Sequence, residues 1–371
     1  MRILRIAQKT YPEVVGGGTY HVHAMSRDQA AMGHDVTVLT VGDGTRPPRE
    51  ERAGYTVVRR PESAKALGNS LSMGVARFLH DADGFDVMHA HSHLYFSTNL
   101  AALKRRFASI PLAITNHGLY SQSAPEWVFR WYLRTLGRVT FDSADGVFCY
   151  TETDASRLRE FGVGTDIHVV ANGIDTHRFS PDGDESQRIA GGPAVLFVGR
   201  LVEGKRPGDA LSAIEQVREV HPDARLHFAG QGPLRTDLER RVAEHGLDEG
   251  VQFLGEVPHE EMPDLYRAAD LFVLPSRAEG LPRTVLEALS TGTPVVASDL
   301  AQMRSVIEGA GVTVPVGDSE GFADALSSLA DDAERYERYS ARGRERVRTD
   351  HSWSSTVEST TEHLESLRRG V

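Results

Sequence analysis

With 371 residues, 40% of them hydrophobic and 25% charged, the chain has globular composition and exceeds what one hydrophobic core organises, so two domains are expected. A net charge of -11 excludes general nucleic-acid affinity, and a single cysteine, Cys149, excludes an intramolecular disulfide and a cysteine-rich zinc site. The opening Met1-Arg2-Ile3-Leu4-Arg5-Ile6-Ala7 is too short an apolar run for a signal peptide, and no stretch of about eighteen apolar residues marks a membrane span, so a cytoplasmic protein is expected.

In chain order, strands are predicted at 2–7, 35–40, 55–59, 86–90, 111–116, 146–150 and 167–170, with helical patterns between most of them. After the loop Ser180-Pro181-Asp182-Gly183-Asp184-Glu185 and the turn Gly191-Gly192-Pro193, a second series follows at 194–199, 225–229, 250–254, 271–275, 294–298 and 311–315. This alternation predicts α/β architecture, two parallel sheets with helical crossovers, divided into domains at 1–180 and 181–351. Such sheets place ligands at the carboxyl ends of their strands.

The residues at those ends are informative. Gly16-Gly17-Gly18 follows the first strand and leads into a helix, a geometry that suits an anion, although a plain tight turn has the same composition. In the second domain the strand ending at Gly199 is followed by Arg200 and Lys205, the chain's last lysine. Two cations on one strand-to-helix loop suit a diphosphate that gains charge as it leaves. Two solvated surface charges is the alternative. In Glu279-Gly280-Leu281-Pro282-Arg283-Thr284-Val285-Leu286-Glu287 a loop opens a helix. Carboxylates repel phosphate and accept hydrogen bonds from hydroxyls, so Glu279 is assigned to a sugar and Glu287 to a ribose diol.

Other motifs carry less. Asp81-Ala82-Asp83 has the spacing of a metal site but precedes a strand, at the amino edge of the sheet. His89, His91 and His93 share one face if the strand alternates, and the reading preferred here buries His89 and turns His91 or His93 toward an acceptor, without a metal. Cys149 lies within an apolar strand and is expected in the core. Over 101–140, Lys104, Arg105, Arg106, Arg130, Arg134 and Arg138 face only Glu126, and Trp127, Phe129, Trp131, Tyr132 and Leu133 interleave with the arginines. That segment suits peripheral membrane contact, or an amphipathic helix with aromatics in the core and arginines in water.

Taken together, these motifs resemble the retaining family 4 glycosyltransferases of GT-B fold. The resemblance rests on Gly16-Gly17-Gly18 with His21-Val22, Gly33-His34-Asp35-Val36, Asn116-His117-Gly118, Asn172-Gly173-Ile174-Asp175, Gly199-Arg200-Leu201 with Lys205, Gly230-Gln231-Gly232-Pro233, and the Glu279–Glu287 motif. It implies two Rossmann-like domains with parallel sheets facing across a cleft, the first binding acceptor and completed by a C-terminal helix at 352–371. It implies that Gly16, Gly17 and Gly18 approach the donor phosphates, His117 contacts the sugar, Arg200 and Lys205 hold the diphosphate, and Gly280 and Leu281 join Glu279 and Glu287 at the donor. The implied reaction moves a hexose or N-acetylhexosamine from a UDP- or GDP-sugar to a glycan or lipid-linked acceptor, with no metal or other cofactor. A sugar-nucleotide epimerase on the same fold and a non-catalytic nucleotide-sugar-binding partner are the rival readings.

Overall fold

Residues 1–66, 69–120 and 126–370 are described by a computed structural model. They divide into two units: the described residues of Met1–Leu119, Pro125–Ala171 and Ser355–Val371, and Asn172–Ser354 with Tyr120. The division falls at 171/172, ahead of the loop at residue 180.

The first unit contains β1 (Arg2–Ile6), β2 (Asp35–Gly42), β3 (Arg49–Arg52), β4 (Tyr55–Pro61), a separate antiparallel pair β5 (Ala64–Ala66) and β6 (Asn69–Leu71), then β7 (Val87–His91), β8 (Leu112–Thr115), β9 (Gly146–Cys149) and β10 (Ile167–Val169). Eight of these form one sheet in the order β10-β9-β8-β7-β1-β2-β4-β3. Every pairing in it is parallel except β3 with β4. Alternation along β1 builds a core on each face: Leu4 and Ile6 join Met88 and Ile114 on one, while Ile3 joins Val36, Phe148 and Leu364 on the other. Leu364 belongs to the helix Trp353–Arg369, which is tied to the helix Gly17–Ala31 by Gln29 Nε2 donating to Thr361 Oγ1 at 2.8 Å. The edge strand β3, Arg49-Glu50-Glu51-Arg52, has no apolar alternation to announce it. Its charges discourage pairing with another chain.

The second unit contains β11 (Ala194–Val198), β12 (Arg225–Ala229), β13 (Val251–Gly255), β14 (Leu271–Leu274), β15 (Val295–Ser298) and β16 (Gly311–Val314), in the parallel order β13-β12-β11-β14-β15-β16. Strands β14 and β15 are buried at every position, as strands covered on both faces must be. The helices Pro207–Val220 and Ser319–Asp331 supply Leu211, Val217, Phe322 and Leu326 to the core around Val195 and Phe197. Each such side chain contributes about 1.5–3 kcal/mol by leaving water.

Candidate functional site

Both sheets reverse their direction of growth once, and open α/β sheets bind ligands at that point, beyond the carboxyl ends of the strands. In the second unit the reversal lies between β11 and β14. The loop after β11 is held by backbone: Gly199 N donates to Ala229 O at 3.0 Å, Leu201 N to Gln231 O at 2.9 Å, and Leu234 N to Leu201 O at 3.1 Å. A Cβ on Gly230 would lie 2.0 Å from Gly199 O, and one on Gly232 2.3 Å from Leu201 O. That contact is the physical reason for two glycines in Gly230-Gln231-Gly232-Pro233.

On this loop Arg200 is exposed, while Lys205 closes a short 3₁₀ turn, Glu203–Lys205. Lys205 Nζ lies 2.5 Å from Glu279 Oε1, with the two side chains 13% and 4% exposed. The cation assigned to phosphate and the carboxylate assigned to sugar are therefore partners. Glu279, Gly280 and Leu281 are buried in the loop between β14 and the helix Arg283–Ser290. Asn172 Nδ2 donates to Leu281 O at 3.2 Å and Arg283 Nη1 to Gly173 O at 2.9 Å, fastening Asn172-Gly173 to the same loop.

Glu287, one turn into that helix, is 4% exposed. Its Oε2 accepts from Tyr266 Oη at 3.0 Å, while Oε1 lies 3.7 Å from both His259 Nε2 and Arg283 Nε. Burial by itself would raise the Glu287 carboxyl, but His259, Arg283 and Tyr266 outweigh it and hold the group below its ordinary range. It is an anion with one oxygen already engaged. Sequence reasoning missed these three partners; only Arg283, four residues earlier on one helix face, left a readable signal.

The first sheet reverses between β1 and β7. Beyond β8, His117 Nδ1 bonds Tyr150 Oη at 2.7 Å and Nε2 bonds His91 Nδ1 at 3.1 Å. His21 meets the His117 ring edge-on, with centroids 5.5 Å apart. A Cβ on Gly18 would lie 3.9 Å from His117 Nδ1, so the start of the helix Gly17–Ala31 and His117 are neighbours. Gly16, Gly17 and Gly18 are exposed, and the first N–H groups of that helix have no intrahelical acceptor. Glu13 anchors the preceding loop through Arg52 Nη2 at 2.8 Å and Arg59 Nη2 at 2.5 Å. Against the effect of burial, these arginines lower its carboxyl to about 2.

Burial lowers His117 to about 4 and His93 to about 3, and drives His89 and His91 well below the ordinary imidazole range. All four are neutral at pH 7. Arg5, fully buried beside them, donates to Ser26 Oγ at 2.8 Å and Gln29 Oε1 at 2.5 Å, and burial lowers it to about 9.

The acceptor-facing assignment of His91 and His93 is corrected. His91 is 2% exposed and stands behind His117, and His93 is 0% exposed, with its ring 4.9 Å from Phe141 and 6.0 Å from Tyr132. The cause is Ser92, whose φ of 66° breaks the alternation and sends His93 to the opposite face from His89 and His91. Tyr132 Oη fixes that turn by donating to His93 O at 2.8 Å. Cys149 is buried, and burial pushes its thiol up to about 12. Asp83 pairs with Lys104 at 2.8 Å. Among the described residues no three His, Cys, Asp or Glu side chains are grouped to hold a metal, and no helix is long and apolar enough to cross a membrane.

Comparison with known proteins agrees with this architecture. Residues 15–178 match the sequence model for Glycosyltransferase Family 4, and residues 182–346 that for Glycosyl transferases group 1. A glycogen synthase from Mycobacterium tuberculosis is 30% identical over 401 aligned residues, covering 100% of this chain and 96% of the relative. A phosphatidyl-myo-inositol mannosyltransferase from Mycobacterium leprae is 31% identical over 376, covering 95% and 94%. The fold is shared with HepE from Anabaena, whose structure in complex with UDP and glucose superposes with a TM-score of 0.81 at 20% identity, covering 99% of this chain and 100% of that one.

Proposed function

The chain belongs to the family 4 glycosyltransferases, and from that premise we propose that it moves a hexose or N-acetylhexosamine from a UDP- or GDP-sugar to a hydroxyl of a glycan or lipid-linked acceptor, in the cytoplasm, with retention and without a metal. The observation that carries this reading is the buried Lys205–Glu279 pair at the reversal point of the second sheet, in the loop that leads into the helix of Glu287. A diphosphate arriving there draws Lys205 and the exposed Arg200 toward its oxygens, and Glu279 then accepts hydrogen bonds from the sugar. Glu287 Oε1 takes a ribose hydroxyl. Backbone donors at Gly280 and Leu281 complete the second unit's donor contacts. By the family resemblance Gly16, Gly17 and Gly18 are assigned to phosphate and His117 to the sugar, for which its neutral ring gives up one of its two hydrogen bonds, to Tyr150 or to His91.

The reading assigns no nucleophile among the described residues and gives the protein positioning and charge stabilisation. The bond from the anomeric carbon to phosphate breaks as the acceptor oxygen attacks on the same face. The leaving phosphate oxygen takes the acceptor's proton. Binding of UDP and glucose by HepE favours a UDP-sugar donor.

The test is thermal stabilisation by UDP, GDP, ADP and their sugar conjugates, with and without EDTA, since a ligand that binds only the folded state raises its stability. A selective shift that EDTA leaves intact is expected for UDP or GDP and its sugar. Acceptor-dependent nucleotide release then separates transfer from epimerisation and from mere binding. A chain that no nucleotide stabilises contradicts the proposal.

A further inference from the structure

The chain between β1 and the helix Gly17–Ala31 runs through Gly16-Gly17-Gly18, successive residues of the type that loses most backbone freedom on ordering. Val14 and Val15, just before them, stand exposed, so apolar burial does little to seat this loop. What seats it is Glu13. Its Oε1 accepts from Arg59 Nη2 at 2.5 Å and Arg52 Nη2 at 2.8 Å, and its Oε2 from Thr10 Oγ1 at 3.0 Å and Arg52 Nη1 at 3.2 Å. Arg52 Nη1 also donates to Tyr11 O, so one guanidinium grips the loop by side chain and by backbone. Within the loop Val14 N donates to Thr10 O at 2.9 Å, and Thr19 Oγ1 shares its proton between Val14 O at 2.6 Å and Gly16 O at 2.9 Å. These bonds carry the position of Glu13 forward to the first turn of the helix.

The two arginines come from the antiparallel pair β3 and β4. Arg52 ends β3 and Arg59 lies in β4, with side chains 10% and 6% exposed. Glu50, on β3, lies 3.2 Å from Arg52 and 2.8 Å from Arg59. Arg59 Nη1 donates to Pro47 O at 3.0 Å, and its stem lies across β2, where a Cβ on Gly42 would come 3.1 Å from Arg59 Cβ. Arg46 adds a looser contact to Glu13 at 3.7 Å. Glu13 thus enters a guanidinium cradle built by the sheet, through charge-assisted and partly bidentate bonds, which are the strong class. Glu50 serves the same arginines but belongs to the sheet and not to the loop. The charges of β3, which no apolar pattern explains, have a use in this cradle beyond guarding an edge.

We infer that Glu13, held by Arg52 and Arg59, is a positioning residue that keeps the Gly16–Gly18 loop in the arrangement that receives the donor; this role rests on the assignment of that loop to donor phosphate. Glu13 itself is assigned no contact with the donor, since both its oxygens already accept from Arg52, Arg59 and Thr10. A loop ordered in advance spares the donor the entropy of ordering it. When only a fraction of molecules hold the loop in place, the apparent dissociation constant rises by the inverse of that fraction. Loss of the anchor therefore raises the donor concentration needed and leaves the rate at saturation nearly unchanged. A cluster that merely stabilised the unit would instead lower the amount of active protein, and with it kcat, at an unchanged KM.

Glu13→Gln and Glu50→Gln each remove one charge from the same two arginines, and the full chain carrying either one tests the inference. Hydrogen exchange of the free protein reads the loop. Slow hydrolysis of UDP-glucose, or of GDP-mannose where that is the sugar nucleotide the parent binds, reads KM and kcat. In Glu13→Gln the amides of 10–20 should exchange about tenfold faster, and the donor KM should rise about tenfold with kcat within about twofold. Glu50→Gln should keep loop exchange and KM within about twofold of the parent, whatever its melting temperature. Glu13→Asp, which keeps the charge on a shorter stem, should lie between parent and Glu13→Gln and replaces the latter if it does not fold. Unchanged loop exchange or unchanged KM in the Glu13 variants, a fall in kcat at constant KM, or an equal rise in KM in Glu50→Gln would each overturn the inference. A parent that no nucleotide stabilises sinks the donor reading and this role with it, whereas failure of the inference alone leaves the parent's nucleotide stabilisation intact.

Discussion

Replacing Lys205 by alanine leaves Glu279 as a carboxylate 4% exposed without the ammonium that lay 2.5 Å away. Breaking a buried pair from one side costs about 3–5 kcal/mol, and the residual exposure of Lys205 puts the cost near the lower figure. For a unit of this size that is roughly 6–12 °C in melting temperature. Glu279→Gln keeps the shape and an acceptor for Nζ and removes only charge, so its loss should be about 1 kcal/mol. The two variants diverge on nucleotide. Lys205→Ala removes a cation from the diphosphate and should weaken UDP or GDP binding, with turnover falling about 10²–10³-fold. Glu279→Gln removes the carboxylate that competes with the diphosphate for the same ammonium, so nucleoside diphosphate should bind more tightly while sugar transfer falls. Calorimetric titration with UDP and GDP, with melting temperatures taken on the same samples, reads both effects. A Lys205→Ala protein that melts and binds like the parent, or a Glu279→Gln protein that binds nucleotide more weakly, would refute the reasoning.

Three further outcomes are expected. Gly230→Ala puts a Cβ 2.0 Å from Gly199 O at a φ of 144°, and should cost about 2 kcal/mol or more and weaken nucleotide binding; Gly192→Ala, with nothing within 4 Å, is the control for both readouts. His117 and His93, lowered by burial to about 4 and about 3, are neutral in the folded unit, whereas their unfolded counterparts protonate below about 6.5. Folded values that are depressed mean stability that is complete above pH 6.5 and lost as pH falls, by about 1.4 kcal/mol per pH unit for each histidine. Urea midpoints should therefore drop between pH 6.5 and 4, less so in His93→Phe, and a flat profile from pH 7 to 5 would contradict this. Tyr150→Phe frees His117 Nδ1 and should lower kcat several-fold with little change in nucleotide affinity, which paired titration and steady-state rates will show.

Some of this was already written in the order of residues. Strand periodicity located thirteen of the strands to within two residues, because apolar runs such as Leu271–Leu274 and Val295–Ser298 have no reason to exist outside a covered sheet. The motifs around Arg200, Lys205, Glu279 and Glu287 pointed to a donor site, and each of these residues lies in the loop after β11 or in the loop and helix after β14, on the two strands that flank the reversal of the second sheet. Strand β3 stayed hidden, since its four charged residues carry no pattern and only the pairing with β4 makes them a strand. What the fold alone decided is where each charge finds its partner. Lys205 and Glu279 are 74 residues apart in sequence and become an ion pair only when the loop after β11 meets the loop after β14. His93 was read on the face of His89 until the left-handed turn at Ser92, a backbone state that no side-chain pattern announces, sent it into the aromatic core. Trp127 and Trp131 stand in water for a similar reason: helical periodicity says which residues share a side, and only packing says which side is covered.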